Sequence, residues 1–132
     1  IRRQMNLQKY SELAKRTCPD LGDNFLNNIH MIFGMSTEIG ELTDGFKKDL
    51  AYNKLIDWVN VEEELGDILF YIVNFCTINN LDLSKILDQN IAKLQRRFPD
   101  KFTEQLAKNR DLVGERKVLE GYSQIKLINE PE

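Results

Sequence analysis

Apolar residues recur along this chain at three- and four-residue intervals, and nothing alternates convincingly with period two, so the pattern is helical. A short first helix is expected near residues 3–16, ended by Thr17-Cys18-Pro19, because proline disfavours helical backbone in the residue before it. A long helix is expected over roughly 23–50, with Asp20 or Asp23 as its N-cap, and residues 51–57 as a connection. The next runs from about 58 to 79, capped by Asp57 or by Asn60 with Glu63 in a capping-box-like pair, and broken by Asn79-Asn80. Leu83 to Phe98 forms another, stopped at Phe98-Pro99, and a last short helix occupies about 111–120. Ile68 to Val73 could be a buried strand, but Glu62-Glu63-Glu64-Leu65 leads into it as continuous helix. The fold class is therefore all-α: a bundle of about four main helices in a single domain over 1–132, with a tail at about 103–132.

At about 100° per residue the long helix divides into two stripes. Met31, Ile32, Met35, Ile39, Leu42, Phe46 and Leu50 form an apolar arc, while Asn27, His30, Gly34, Glu38, Glu41, Gly45 and Lys48 lie beside it. Glycine inside a helix costs about 1 kcal/mol relative to alanine, so two on one stripe suggest a close approach there. The alternative is a solvated face with incidental glycines. The 58–79 helix is apolar nearly all round: Val61, Leu65, Ile68, Ile72 and Phe75 on one side, Val59, Phe70 and Val73 on the other. One chain of about four helices has too little material to cover both sides, so completion by oligomerisation, as homodimer or homotetramer, is expected. Val59, Phe70 and Val73 are expected to meet a second subunit, with Ile68, Ile72 and Phe75 packing within the chain.

The polar strips carry the chemistry. Glu38-x-x-Glu41 and Glu64-x-x-Asp67 each place two carboxylates on one helix face, and two such helices side by side would gather four. Four carboxylates in a low-dielectric site need a compensating cation, and an all-oxygen donor set suits Mg²⁺, or Mn²⁺ as a substitute, rather than zinc. On the Leu83–Phe98 helix, Asn90, Lys93 and Arg97 share a stripe that can meet phosphate oxygens, or else form a solvated basic face.

Composition narrows the classes further. A net charge of −3 over 132 residues leaves no basic excess for nucleic acid, which is not expected as a partner. The longest apolar run is too short for a membrane span, so no membrane partner is expected either. Cys18 and Cys76 stand in no metal or redox spacing and fit a cytoplasmic location. No leader segment is seen, and a first residue of Ile points to a trimmed N-terminus. The only histidine, His30, has no Glu three residues before it, which excludes the Glu-x-x-His pairs of di-iron bundles. Gly40 and Gly45 have P-loop spacing, but Phe46 follows where lysine is required.

Gly34-Met-Ser-Thr-Glu-Ile-Gly-Glu-Leu-Thr-Asp-Gly-Phe-Lys-Lys48 and Asp57-Trp-Val-Asn-Val-Glu-Glu-Glu-Leu-Gly-Asp-Ile-Leu-Phe-Tyr71 resemble the MazG-like all-α nucleoside triphosphate pyrophosphohydrolases. Asn90-Ile-Ala-Lys-Leu-Gln-Arg-Arg-Phe-Pro-Asp-Lys-Phe102 is similar to that family's following helix. Asn109-Arg-Asp-Leu and Glu115-Arg-Lys resemble the tail of small stand-alone bacterial and phage members. The resemblance covers roughly 24–120. It implies Mg²⁺-dependent hydrolysis of an NTP or dNTP between the α and β phosphates, releasing the monophosphate and pyrophosphate, and assembly as dimers or tetramers. It implies metal ligands at Glu38, Glu41, Glu64 and Asp67, a proton acceptor at Glu41 or Glu63, and phosphate contacts from Lys93 and Arg97 with Lys47, Lys48 or Lys54 assisting. Asn90 belongs to the same substrate-binding stripe, and the base would sit near Asn27, His30 and Trp58. Two other readings stay open: the same fold acting on phosphoribosyl-ATP or another nucleotide diphosphate linkage, and a non-catalytic Mg²⁺-binding oligomerisation module.

Overall fold

A computed structural model describes residues 4–125. Those residues form six α-helices and no strand: α1 (Leu7–Lys15), α2 (Asn24–Tyr52), α3 (Trp58–Ile78), α4 (Leu83–Arg97), α5 (Glu104–Lys108) and α6 (Leu112–Tyr122). The all-α expectation holds.

Side-chain oxygens begin the helices by accepting the backbone N–H groups that have no partner inside a helix. Asp23 caps α2 through Leu26 N, and Asp57 caps α3 through Val59 N and Asn60 N. Of the paired candidates it is thus Asp23 and Asp57 that serve. Asp20 instead accepts from Gly22 N and from the Asn27 side chain. Asn53 ends α2 in the left-handed region (φ 53°), and Asn80, just past α3, adopts the same region (φ 54°). Asparagine tolerates that conformation, which is why these positions stop helices. The first helix starts at Leu7 rather than near residue 3, because the Asn6 side chain accepts from Lys9 N and fixes the start there. The short α5 was not foreseen; Thr103, accepting from Leu106 N, begins it inside the stretch read as a tail.

The chain divides into two compact units, one up to Asn80 and one from Leu81. In the first, α2 and α3 pack against each other as an antiparallel hairpin. Near one end, Asn79 Nδ2 donates to Asn28 Oδ1 at 2.5 Å. Further along, the Tyr71 ring packs closely against α2 at Gly34. The small helix α1 rests on α3, where the Ser11 and Thr77 hydroxyls meet at 3.1 Å. In the second unit α4 packs on α6, and Gln89 Nε2 donates to Leu119 O at 2.9 Å.

The hairpin buries only part of the apolar arcs, together with polar residues between them. On α2 the buried residues are Met31 and Gly34, while Ile32, Ile39, Phe46 and Leu50 remain 42–89% exposed. On α3 they are Val61, Glu64, Val73, Asn74 and Cys76, and Leu65 and Leu69 are about half exposed. Val73, expected at a subunit interface, is therefore interior to its own chain. The reason is that α3 turns its polar strip, not its most apolar side, toward α2, and Val73 turns inward with the neighbouring Asn74. Val59 is exposed and Phe70 half-buried.

Candidate functional site

The i,i+3 spacing on α2 points Glu38 and Glu41 toward α3, where Glu64 projects to meet them. One carboxylate oxygen from each of Glu38, Glu41 and Glu64 lies within 4.8 Å of the other two. Glu64 is 4% exposed, and its Oε2 is buried without a hydrogen-bond partner. Burial, first of all, and then the contact with Glu38 and the negative charge of Glu41 push the Glu64 carboxyl up to about 7. A buried carboxylate gathered with two others, with an oxygen left unpaired, is a donor set that fits a hard divalent cation.

Asp67 lies outside this group of three. It is exposed one turn further along α3, and its charge raises the Tyr10 and Tyr71 phenols, though burial is the larger cause for both. Glu63 is exposed on α3, next in sequence to Glu64 but turned by about 100° from it.

A groove of about 1050 Å³, counting its open mouth, runs beside the carboxylates and is lined by Glu41, Asp44, Gly45, Lys48, Asn60 and Glu64 among others. A second hollow of about 510 Å³ shares Gly45, Lys48, Asp57 and Asn60 with it, and adds Lys54 and the apolar Leu42, Leu55 and Ile56. Lys48 and Lys54 are thereby brought to the same end of the hairpin as the carboxylates. Asp44 sits four residues before Lys48 and bonds its ammonium at 2.5 Å, with Lys47 at 3.3 Å; these contacts raise the Lys48 pKa and lower that of Asp44. Trp58 opens α3 and packs perpendicular to Phe46 with ring centroids 6.4 Å apart.

The other sequence candidates occupy varied settings. Asn27 is committed to the 20–22 turn: its Oδ1 accepts from Leu21 N at 2.8 Å and its Nδ2 donates to Asp20 at 3.0 Å. His30 meets Tyr71 edge-on at 6.2 Å, and its buried Nδ1 has no partner among the described residues. Asn90, Lys93 and Arg97 belong to α4 in the second unit. Asn90 is exposed and Lys93 half-buried. Arg97 forms a two-pronged pair with Glu115 of α6. Asn74, which shares the polar strip of α3 with Glu64, Asp67 and Asn60, is 1% exposed, and both its amide atoms lack a partner among the described residues. Sequence reasoning missed the pairing of Glu115, for which no local pattern marks the partner 18 residues away.

A helical hairpin that gathers three carboxylates beside a lysine-bearing groove defines an all-α protein with a candidate cation centre. The family model for the MazG nucleotide pyrophosphohydrolase domain matches residues 21–102, and the chain belongs to that family of enzymes. Searches of curated proteins and of solved structures return no match to the chain. Among the described residues no helix is long and apolar enough to cross a membrane.

Proposed function

We propose that this nucleotide pyrophosphohydrolase cleaves a nucleoside or deoxynucleoside triphosphate between its α and β phosphates, with Mg²⁺ (or Mn²⁺ in its place), to give the monophosphate and pyrophosphate. The observation that carries this reading is the convergence of Glu38, Glu41 and Glu64 beside the groove that also takes Lys48. Those three residues would hold the cation, with Asp67, the last residue of the second acidic pair, as the fourth ligand. Bound there, a divalent cation supplies neutralisation of phosphate charge and lowers the pKa of water.

The chain's own residues do the rest. Glu41 lines the groove and is the better placed of the two candidate proton acceptors, Glu63 being the other. Lys48 and Lys54 offer ammonium groups to phosphate oxygens, Lys48 exchanging its Asp44 partner for substrate. Lys93 and Arg97, with Asn90, supply further polar and cationic contacts to the nucleotide. The base rests against His30, whose free buried Nδ1 is available for a hydrogen bond; Asn27 joins it only by releasing the 20–22 turn. The working form is a homodimer or homotetramer in the cytoplasm. The uncovered apolar residues Ile32, Ile39 and Phe46 of α2 and Leu65 and Leu69 of α3 support association through this hairpin.

Pyrophosphate release measured with Mg²⁺ across the common NTPs and dNTPs, dUTP and phosphoribosyl-ATP tests the reading. Turnover of one or more triphosphates is the expected result. Turnover confined to phosphoribosyl-ATP moves the substrate class. Mg²⁺-dependent stabilisation without any turnover leaves a structural metal module instead.

A further inference from the structure

Glu115 lies beyond the 21–102 segment that the family model matches, yet it is among the most buried charged side chains of the chain, at 3% exposure. A carboxylate is seldom placed so deep unless it is fully paired. Here Oε1 accepts from Arg97 Nε at 2.8 Å and Oε2 from Arg97 Nη2 at 2.9 Å, the fork-to-fork geometry that fixes a guanidinium in plane and rotation. Arg110 Nη2 reaches the same Oε2 at 2.6 Å. The two cations hold the Glu115 carboxyl down at about 2, so it stays ionised at any working pH.

The consequence for Arg97 is geometric. A guanidinium carries five N–H donors, and the pair consumes two of them along one edge. The Nη1 edge is left with its donors in a fixed direction, on a side chain that is 17% exposed and whose Cζ stands 5.8 Å from the Phe98 ring centre. Without Glu115 the same side chain would sample several rotamers and lose entropy on meeting an anion. Lys93 precedes Arg97 by one helical turn and has no ion-pair partner among the described residues. Nearby, Arg96 bridges from α4 to Asp111, the N-cap of α6, at 2.7 Å, half exposed, so the packing of the two helices has a second tie that does not touch Arg97.

We infer that Glu115 is a positioning residue for nucleotide binding: from α6 it locks one edge of Arg97 so that the other edge is presented to phosphate oxygens. This rests on the reading of Arg97 as a phosphate contact. It adds α6 to the functional part of the chain.

The test measures Mg²⁺-pyrophosphate affinity by calorimetry, along with KM and kcat for the best triphosphate, in Glu115→Asp, Glu115→Gln, Arg97→Ala, the Glu115→Asp/Arg97→Ala double variant and Arg96→Ala. Glu115→Asp keeps the charge but draws it back by ~1.5 Å, one carbon–carbon bond. It should weaken pyrophosphate binding and raise KM by about tenfold, the scale of one charge-assisted hydrogen bond. In the Arg97→Ala background the same change should have no further effect. Arg96→Ala should lower the melting temperature while leaving KM where it was. Should Glu115→Gln fail to fold, Glu115→Asp still decides the matter. Wild-type affinity in Glu115→Asp, or an equal loss with and without Arg97, overturns the proposal. So does unchanged pyrophosphate affinity in Arg97→Ala, which removes the role that Glu115 would serve. An absence of turnover on every triphosphate, with the Arg97–Glu115 coupling still present in pyrophosphate binding, overturns the activity and upholds the positioning role.

Discussion

Gly34 and Gly40 sit six residues apart in one helix, and replacing each with alanine should move stability in opposite directions. Alanine is favoured over glycine in a helix interior by about 1 kcal/mol, and that gain is common to both sites. At Gly40 a new methyl meets nothing within 4 Å, so the gain is kept. At Gly34 it would fall within 2.5 Å of three Tyr71 ring atoms, Cε1, Cδ1 and Cζ. Carbon atoms in contact stand about 3.5–4.0 Å apart, so the ring or the whole α3 helix must retreat by more than about 1 Å. Met31, 1% exposed, and the buried Val73 and Asn74 leave little room for that retreat. Overpacking of this kind costs about 1–3 kcal/mol, and the crowding at Gly34 belongs at the upper end. The net loss is then about 2 kcal/mol, which should lower Tm by roughly 6–10 °C, while Gly40→Ala, a gain of about 1 kcal/mol, raises it by roughly 3–5 °C. Differential scanning fluorimetry and urea titration of the two variants would read both values. Tyr71 lies one turn beyond Asp67 and close enough to Glu38 to sense its charge, so Gly34→Ala should also blunt the stabilisation by Mg²⁺. A Gly34→Ala protein as stable as the parent would refute the close approach of α3 on which the carboxylate cluster depends.

Three further outcomes are expected. The Glu64 carboxyl is raised to about 7, so in the metal-free protein its contribution to stability is present below about pH 4.5 and lost as pH rises through about 7. Mg²⁺ competes with that proton, so the Tm gained on adding Mg²⁺ should be small near pH 5.5 and large near pH 8, by thermal scans at matched ionic strength. A gain independent of pH would remove Glu64 from the site. Glu41→Gln should abolish pyrophosphate release while circular dichroism stays helical, since neutralising one of three facing carboxylates relieves repulsion in the metal-free protein; near-normal turnover contradicts the assignment. Ile39→Glu, placing a charge on the uncovered α2 face, should reduce the mass seen by light scattering to that of a monomer, and a parent protein that is already an active monomer at micromolar concentration would sink the association reading.

The helices were legible because their punctuation is chemical and local: Pro19, Asp57, Asn79-Asn80 and Pro99 each act on the backbone beside them. The carboxylate cluster was legible for the same reason, since i,i+3 spacing is a property of one helix. Its membership was less so. Which of Glu64 and Asp67 turns between Glu38 and Glu41 depends on how α3 is rotated against α2, and the contact of Tyr71 with Gly34 helps to set that rotation. Val73 went astray on the same point. Its helix is apolar on both sides, so hydrophobicity could not choose between them, and the buried polar residues Glu64 and Asn74 show which strip was chosen. The commitment of Arg97 to Glu115 is tertiary and has no spacing rule behind it. A stripe of Asn90, Lys93 and Arg97 looks equally free in sequence whether or not another helix has claimed its last member.

The chain has a single tryptophan, and it stands at the first position of α3, 64% exposed, with its ring perpendicular to that of Phe46 and its neighbour Asp57 lining both hollows. Indole emission responds to the polarity around the ring. Trp58 is thus a built-in optical probe at the groove mouth: a ligand that dries the groove, or a subunit that covers Phe46, shifts its spectrum toward the blue. Titrations recorded from this one residue, at fixed protein concentration with nucleotide and then by dilution without it, separate occupancy from assembly with no label attached.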